Sequence, residues 1–145
     1  MTLVDLTLRL IKAKQALVAE LNKPLAEFDL TTRAWWVLAK AEPGLYTQRE
    51  LSERCEIDKT TMVSLVDDLE RRGLLRRTRS ETDRRAWIIS PTDEGKAMVE
   101  RVRPIVDHVE ARVMQVVPSD EREAFLSGLD RLVEARLTQA RSSEI

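Results

Sequence analysis

The sequence predicts a mainly α-helical chain that carries one small β-hairpin. Apolar residues recur at helical spacing along most of the 145 residues, and four glycines and five prolines leave few breaks. Residues that cap helices stand directly before several of these apolar stripes. One stretch departs from the helical period, because two short runs with strand-forming residues flank a polar turn.

The first helix is expected from about residue 3 to residue 22, with Pro24 near its end or at a bend. Leucines at helical spacing form its apolar stripe, with Ile11 and Val18 beside them: Leu3, Leu6, Leu10, Leu17 and Leu21. A second helix is expected from residue 31 or 32 to about residue 41, and Pro43-Gly44 ends it.

The middle of the chain has helix-turn-helix spacing. Thr47 and Glu50 form a capping-box pattern, which predicts a short helix from Gln48 to about Cys55. Asp58 is then expected to cap a further helix that ends near Gly73, a residue suited to the left-handed C′ position. The apolar stripe of this helix is Met62, Leu65, Val66 and Leu69. Only a few residues separate the two helices.

A basic hairpin follows, with strands predicted at about residues 75–79 and 86–89. From Arg71 to Arg85 the chain has seven arginines against two acids, a net charge of +5. The whole chain has a net charge of −1, so the remainder carries −6. Positive charge concentrated on one protrusion of an acidic protein indicates a binding surface for a polyanion.

Two long helices are predicted after the hairpin. Ser90 or Thr92 is expected to cap the first, which would run from about Pro91 to Val117 with a kink at Pro104. Pro118-Ser119 then starts the last helix. Its broad apolar side consists of Phe125, Leu126, Leu129, Leu132, Val133 and Leu137. These wide apolar faces, like that of the first helix, need a partner surface, which predicts a dimer.

A helix-turn-helix followed by a basic hairpin is a winged helix, whose second helix enters the major groove. The segment LSERCEIDKTTMVSLVDDLERRGLLRRTRSETDRRAWIISPTDEG resembles the signature region of MarR-family transcriptional regulators. The elements that match are LSER, Ile57-Asp58, VDDLERRGLL, the DRR of the wing, and Thr92-x-x-Gly95. The flanking helices also match in number and order, so the resemblance covers essentially the whole chain.

The resemblance implies a homodimer on a pseudo-palindromic operator, with a small molecule or oxidant altering its affinity for DNA. Residues 31–99 would form the DNA-binding lobe, and residues 1–30 and 100–145 the dimerisation helices. A sequence-specific repressor is therefore expected, with activation as the alternative. Three departures concern Val63, where a small polar residue is frequent, Asp68, where a basic one is frequent, and Pro91, which replaces a leucine. Because Val63 and Asp68 lie on or beside the expected reading surface, the operator is expected to differ in sequence from those of relatives.

Candidate base contacts lie in the first two turns of the helix that Asp58 caps, the second of the helix-turn-helix: Thr60, Thr61, Val63 and Ser64. Short hydroxyls can hydrogen-bond base edges, and a valine methyl can contact a thymine methyl. Charged and polar residues at the helix starts are expected to contact phosphate: Gln48, Arg49 and Lys59. The alternative is an ordinary solvated helix face.

At the wing tip, Asp83, Arg84 and Arg85 would otherwise form a solvated turn with a weak surface ion pair. The resemblance implies that Arg85 inserts into the minor groove and that Asp83 orients its guanidinium, while Arg84 meets phosphate. The other arginines cannot all face DNA, because neighbours in a strand point to opposite sides. Some are expected to pair with acids on adjoining helices: Arg71, Arg72, Arg76, Arg77 and Arg79.

Residues for an effector pocket are less well marked. Trp35 and Trp36 are adjacent on a helix, so they cannot be equally buried, and each is either core or a wall of a pocket for an aromatic effector. Arg33 and His108 could supply polar groups there. Cys55 could sense oxidants, but it occupies an apolar slot before the turn and is expected to be a small buried hydrophobe.

Other functions find little support. The chain lacks a Gly-rich phosphate loop, a G-x-S-x-G motif and a nucleophile-histidine-carboxylate set, so an enzyme is not expected. One histidine and one cysteine cannot form a metal site, and no cofactor is expected. No apolar run could span a membrane, and without a signal peptide a cytoplasmic location is expected. The alternative function is a winged helix that docks to protein.

Overall fold

The computed structural model describes residues 5–142, and the side chains of residues 5–136. The chain divides into two compact units, Met1–Val109 and Glu110–Ile145. Within the described residues the elements are α1 (Leu6–Leu25), α2 (Thr32–Ala41), β1 (Tyr46–Thr47), α3 (Gln48–Cys55), α4 (Lys59–Arg71), β2 (Leu75–Arg79), β3 (Trp87–Pro91), α5 (Asp93–Met114) and α6 (Arg122–Ser142). The predicted class, mainly helical with a small sheet and a winged helix-turn-helix, is confirmed.

Helix α1 ends one residue after Pro24, as predicted, and a short 3₁₀ turn follows it. Only the last part of its stripe is buried: Leu21 and Leu25 lie in the core, whereas Leu6 and Leu10 are exposed in the single chain. Leu3 of the predicted stripe lies outside the described residues. The first turns of α1 therefore present an apolar face that this chain leaves uncovered.

Helix α2 begins where the sequence predicts, because two polar groups satisfy its first turn. The Thr31 hydroxyl accepts a hydrogen bond from the backbone N–H of Ala34 at 3.1 Å. The Asn22 side-chain oxygen on α1 accepts bonds from both the backbone N–H and the hydroxyl of buried Thr32. Trp35 and Leu38 are buried in the core. These bonds fix α2 to the end of α1.

Both helices of the helix-turn-helix have the predicted bounds. Thr47 and Glu50 form the full capping box at the start of α3. Glu56 ends α3 in the left-handed conformation, with φ of 51°, and Asp58 caps α4. Gly73 has the expected positive φ, 74°. The side chains that face inward from the two helices are Leu51, Cys55, Met62, Val66 and Leu69.

The hairpin belongs to a three-stranded antiparallel sheet, ordered β1-β3-β2. Strand β1 was not predicted, because two residues are too few to show alternation. It pairs with β3 through Tyr46 and Ile89, and Ile89 also pairs with Arg77 of β2. Ile89 is fully buried. This residue therefore attaches the sheet to the core.

The predicted bounds of the first C-terminal helix are wrong at both ends. Pro91 belongs to β3 and pairs with Leu75, so α5 begins at Asp93, and it ends at Met114. Thr92 rather than Ser90 caps the helix: its hydroxyl accepts a hydrogen bond from the Gly95 N–H at 3.1 Å. Proline is tolerated here because β1 pairs with β3 only at Ile88 and Ile89, so β3 at Pro91 has β2 alone as a neighbour and is locally an edge.

In the second unit, α6 follows a turn in which the Glu121 N–H bonds to the Pro118 carbonyl, as the break at Pro118 predicts. Its apolar residues are largely exposed in the single chain, and Val133 retains 60% of its accessible surface. The side chain of Leu137, assigned to the same stripe, lies outside the described residues. The described part of α6 thus shows an uncovered apolar face.

We expect Gly95→Ala to destabilise the fold by about 1–3 kcal/mol, the range for an overpacked core. A Cβ at this position would overlap the carbonyl oxygen of Leu74 and lie 3.2 Å from the Pro91 Cβ. Urea denaturation would measure the loss. Gly128→Ala is the matched control, because nothing lies within 4 Å of its Cβ. Equal stability of the Gly95→Ala variant and wild type would contradict the close approach.

Candidate nucleic-acid interface

The outer edge of α4 is open to solvent at its amino-terminal end. Thr60, Val63 and Ser64 are exposed, and Val63 retains 38% of its surface. They are exposed because Met62 and Val66 occupy the buried side of the same turns. Two small polar groups and one methyl-bearing side chain therefore face outward together. Such a set can contact base edges.

Thr61 differs from the other three candidates, because its hydroxyl is engaged within the protein. It donates to the Asp58 carboxylate at 2.6 Å, and the Thr61 backbone N–H donates to the same carboxylate at 2.9 Å. These bonds, first the hydroxyl and then the backbone, lower the pKa of Asp58 below its ordinary value. Thr61 thus helps to fix the start of α4, and only its lone pairs remain for a partner.

The three residues predicted to contact phosphate differ in their surroundings. Lys59 is exposed at the start of α4. Arg49 is exposed on α3, where its Nε lies 3.4 Å from the Glu53 carboxylate. Gln48 is half-buried, and its side-chain oxygen accepts a bond from the Arg77 Nε at 3.4 Å. Lys59 and Arg49 are the two with charge accessible to a ligand.

Arg77 connects three elements, which the sequence did not reveal. From β2 its guanidinium donates to Asp67 at 2.5 Å and to Glu70 at 3.0 Å, both on α4, in addition to Gln48 on α3. Only 20% of the side chain is exposed. A partly buried arginine bound to two carboxylates has fixed geometry. Arg77 therefore ties the hairpin to both helices of the helix-turn-helix.

Two more arginines of the basic segment form ion pairs and hydrogen bonds at the end of α4. Arg71 and Arg72 both pair with Asp68, the acid where a basic residue is frequent in the family pattern. Arg72 also donates to the backbone carbonyls of Phe28 and Asp29, at 3.0 and 2.9 Å. These two pairs lie within α4 and its cap, so the expected pairing with acids on an adjoining helix is confirmed by Arg77 instead.

The wing tip is a compact hydrogen-bonded loop between Ser80 and Ala86. The Asp83 carboxylate accepts a bond from the backbone N–H of Arg85 at 2.9 Å, so it braces the turn. The implied pairing of Asp83 with the Arg85 guanidinium is not observed, because the carboxylate faces the backbone. Arg84 and Arg85 are exposed, and neither guanidinium has a partner among the described side chains of residues 5–136.

A cavity of about 390 Å³ lies between α1 and α2. Its lining residues are Lys14, Gln15, Val18, Ala19, Asn22, Thr31, Thr32, Arg33 and Trp36. Of the four effector-pocket candidates, Arg33 and Trp36 line it. Trp35 is buried in the core and His108 is exposed on α5, so neither does. The unequal burial of the two tryptophans agrees with their adjacent positions.

Cys55 is buried, with 7% of its surface exposed, as the apolar-slot interpretation predicts. Burial raises the pKa of the thiol, and nearby Lys40 offsets only part of this effect. The reactive thiolate is therefore disfavoured at neutral pH.

The MarR family matches this chain over residues 28–86. The solved structure of CouR, a transcriptional repressor bound to a 23-mer DNA duplex, is 31% identical, with a TM-score of 0.76. That similarity covers 92% of this chain and 98% of CouR. The chain belongs to the MarR family. Its exposed wing and α4 edge are therefore features of a MarR-family winged-helix regulator.

Two further MarR-like structures contain small molecules. CouR from Rhodococcus jostii RHA1 bound to p-coumaroyl-CoA is 27% identical, with a TM-score of 0.78, covering 89% of this chain and 92% of that one. The PcaV transcriptional regulator from Streptomyces coelicolor, in complex with its natural ligand, is 28% identical with a TM-score of 0.71. It covers 94% of this chain and 97% of PcaV.

Within residues 5–142, no helix is both long enough and apolar enough to cross a membrane. In the same part of the chain, no group of three or more histidine, cysteine or acidic side chains is placed to hold a metal ion.

The Asp58 cap predicts a pH dependence of stability. Because the folded pKa is lowered, the contribution of Asp58 is fully present above about pH 3.8 and is lost as the pH falls through the folded value. Asp58→Asn retains a capping oxygen but cannot titrate. We expect the free energy of unfolding to fall more steeply below about pH 3.8 in wild type than in Asp58→Asn. Parallel curves from urea titrations across this range would contradict it.

Proposed function

We propose that this MarR-family chain is a sequence-specific DNA-binding transcriptional regulator, a repressor that acts as a homodimer on a pseudo-palindromic operator. In this proposal residues 31–99 bind DNA, while residues 1–30 and 100–145 dimerise. A small anionic effector that carries an aromatic ring modulates the affinity. The observation that carries the DNA-binding part is the exposure of Arg84 and Arg85 together with the open edge of α4.

The difference between arginines that pair within the protein and arginines that do not supports a DNA partner. Arg71, Arg72 and Arg77 are used within the protein, so their charge is largely offset by carboxylates. At the wing tip, Arg84 and Arg85 project from a braced turn, and neither guanidinium pairs with a carboxylate among the described side chains, although Glu81 and Asp83 lie in the same loop. A preorganised unpaired guanidinium is attracted to the negative potential of a narrow A·T-rich minor groove. Arg85 is proposed for the groove and Arg84 for phosphate.

Contacts from α4 would then supply specificity. Thr60 and Ser64 can donate to or accept from base edges, and the Val63 methyl groups can pack on a thymine methyl. Gln48, Arg49 and Lys59 are proposed to contact phosphate, which positions the helix without selecting a sequence. Thr61 is proposed as a lesser contact, because its hydroxyl proton is committed to Asp58.

The uncovered apolar faces support the homodimer. On α1, Leu6, Leu10 and Ile11 each retain at least 40% of their surface, and on α6 Leu132 and Val133 retain 55% and 60%. Exposed apolar side chains at helical spacing are costly in water and mark a surface that associates. A two-fold dimer would place two α4 helices about 34–36 Å apart, one turn of B-DNA.

The lining of the cavity supports an anionic aromatic effector. Lys14 and Arg33 supply two positive charges and Trp36 an aromatic face, and none of the nine lining residues is acidic. The side-chain oxygen of Asn22 is occupied by Thr32, so its amide nitrogen remains a donor. A volume of about 390 Å³ lies within the range of small-molecule sites. The CouR structure with p-coumaroyl-CoA, which has an aromatic ring and anionic phosphates, agrees with this class.

Selection of bound duplexes from a random pool tests the DNA-binding proposal. An inverted repeat is expected, since two-fold symmetry of the protein is mirrored in its site. Arg85→Ala should lower affinity for that site by about 1–3 kcal/mol, the cost of one base contact. Arg131→Ala, which removes the same charge from an exposed position on α6, should leave affinity within twofold. If the selected site is placed in the promoter of a reporter gene, expression of the protein should lower the reporter's transcription.

A protein-interaction module is the alternative function, and salt separates the two. The logarithm of the DNA association constant should decrease linearly with log[salt], with a slope of about −0.9 for each phosphate contact. Protein docking should depend only weakly on salt. Failure to enrich any duplex, or unchanged affinity in Arg85→Ala, would favour the alternative.

Arg33→Ala should weaken binding of an aromatic carboxylate such as cinnamate by roughly 10- to 150-fold, because a charge-assisted hydrogen bond contributes roughly 1.5–3 kcal/mol. Isothermal titration calorimetry with wild type and variant measures the change. His108→Ala is the matched control, since His108 lies outside the cavity lining. Equal affinities for wild type and Arg33→Ala would remove Arg33 from the effector site.

A further inference from the structure

Arg79 attaches the wing tip to β3 through an aromatic ring and a backbone carbonyl rather than through a carboxylate. It stands opposite Trp87 across β2 and β3, and its guanidinium carbon lies 4.6 Å from the centre of the Trp87 ring. Its Nη1 donates to the backbone carbonyl of Arg84 at 2.5 Å. The same side chain therefore contacts both the first residue of β3 and the loop that precedes it.

The loop itself has further bonds that close it. The Ser80 hydroxyl accepts from the backbone N–H groups of Thr82 and Asp83, each at 3.3 Å. The Ala86 N–H donates to the Asp83 carbonyl, and the Ser80 N–H donates to the Ala86 carbonyl. These bonds close the turn on itself. Arg79 is the side chain that joins the closed turn to the strands beneath it.

We propose that Arg79, stacked on Trp87, is a positioning residue that orders the loop from Ser80 to Ala86 and so presents Arg84 and Arg85 to DNA. This inference rests on the proposed DNA-binding function. The proposal also explains how Arg84 and Arg85 are held in place. The Asp83 carboxylate bonds to the backbone and does not contact the Arg85 guanidinium, so it cannot orient that group directly.

The geometry favours positioning over a direct contact with DNA. One face of the guanidinium is covered by the Trp87 ring, and one of its nitrogen donors is taken by Arg84. A planar guanidinium can stack and donate at the same time, whereas an ammonium cannot reproduce both contacts. Ordering the loop before binding lowers the conformational entropy lost on association, which raises affinity without adding a contact.

Arg79→Lys tests the proposal, because it retains the charge but loses the stacked fork. We expect the affinity for the selected duplex to fall roughly tenfold, while the melting temperature stays within about 2 °C because the pair lies on the surface. Trp87→Leu should give a similar loss. Trp87→Phe should restore most of the affinity, since an aromatic face for Arg79 remains.

A double-mutant cycle determines whether Arg79 acts through the wing tip. In a background carrying Arg84→Ala and Arg85→Ala, Arg79→Lys should cause less than a twofold further loss, because the groups that it positions are gone. A further tenfold loss in that background would show a direct contact and overturn the proposal. Full affinity of both Arg79→Lys and Trp87→Leu would also overturn it.

Amide hydrogen exchange in the free protein gives a readout that needs no DNA. The backbone N–H groups of Arg85 and Ala86 are bonded within the loop, so their exchange should quicken at least severalfold in Arg79→Lys. Unchanged exchange would refute the positioning role even if wild type binds its duplex. Faster exchange in a protein that selects no duplex would instead retain loop ordering and refute the proposed function.

Discussion

The arrangement of the winged helix depends on one joint, where Thr92 and Gly95 meet the backbone after α4. The Thr92 hydroxyl donates to the Gly73 carbonyl at 2.5 Å and accepts from the Gly95 N–H, and its own N–H bonds to Leu74. Gly95 is needed because any side chain would overlap the Leu74 carbonyl. One threonine thus caps α5 and joins the start of β2 to the end of β3. This explains in physical terms why a T-x-x-G pattern follows the second strand of the wing.

The hairpin is fixed to the helices at a second point, through Arg77. Its bonds to Asp67 and Glu70 join β2 to the outer side of α4, and its bond to Gln48 reaches α3. A hairpin held only by the Thr92 joint could swing about that joint. With both attachments, the wing and the exposed edge of α4 form one rigid surface. Such preorganisation would lower the entropy lost if the surface binds neighbouring grooves of a duplex, as proposed.

The helices could be predicted from the sequence because their signals are local. Thr47 and Asp58 cap the helices that the sequence assigns to them, α2 begins at Thr32 within the predicted choice of start, and Gly73 follows α4 with positive φ. The missed features depend on distant partners: the two-residue strand β1 exists only because β3 lies beside it, and Pro91 joins the sheet because Leu75 is opposite. The same holds for the candidate site, since exposure of the α4 edge follows from helical period, whereas the partners of Arg77 and Arg79 do not.

A helix proposed to bind DNA would ordinarily repel it if acids lie on its outer side. Asp67, Asp68 and Glu70 all lie on α4, in the half farther from its capped start. Each is paired with an arginine from the basic segment, so the local charge is close to neutral. The acids therefore hold the arginines that fix the hairpin and remove little of the attraction at the tip. The arginines of the basic segment that pair with no carboxylate among the described residues lie on the hairpin, with Arg84 and Arg85 at its tip. Screening over about 8–10 Å limits how far the acidic remainder of the chain weakens the attraction of a polyanion to them. In this way a chain with a net charge of −1 can still present a localised cationic surface.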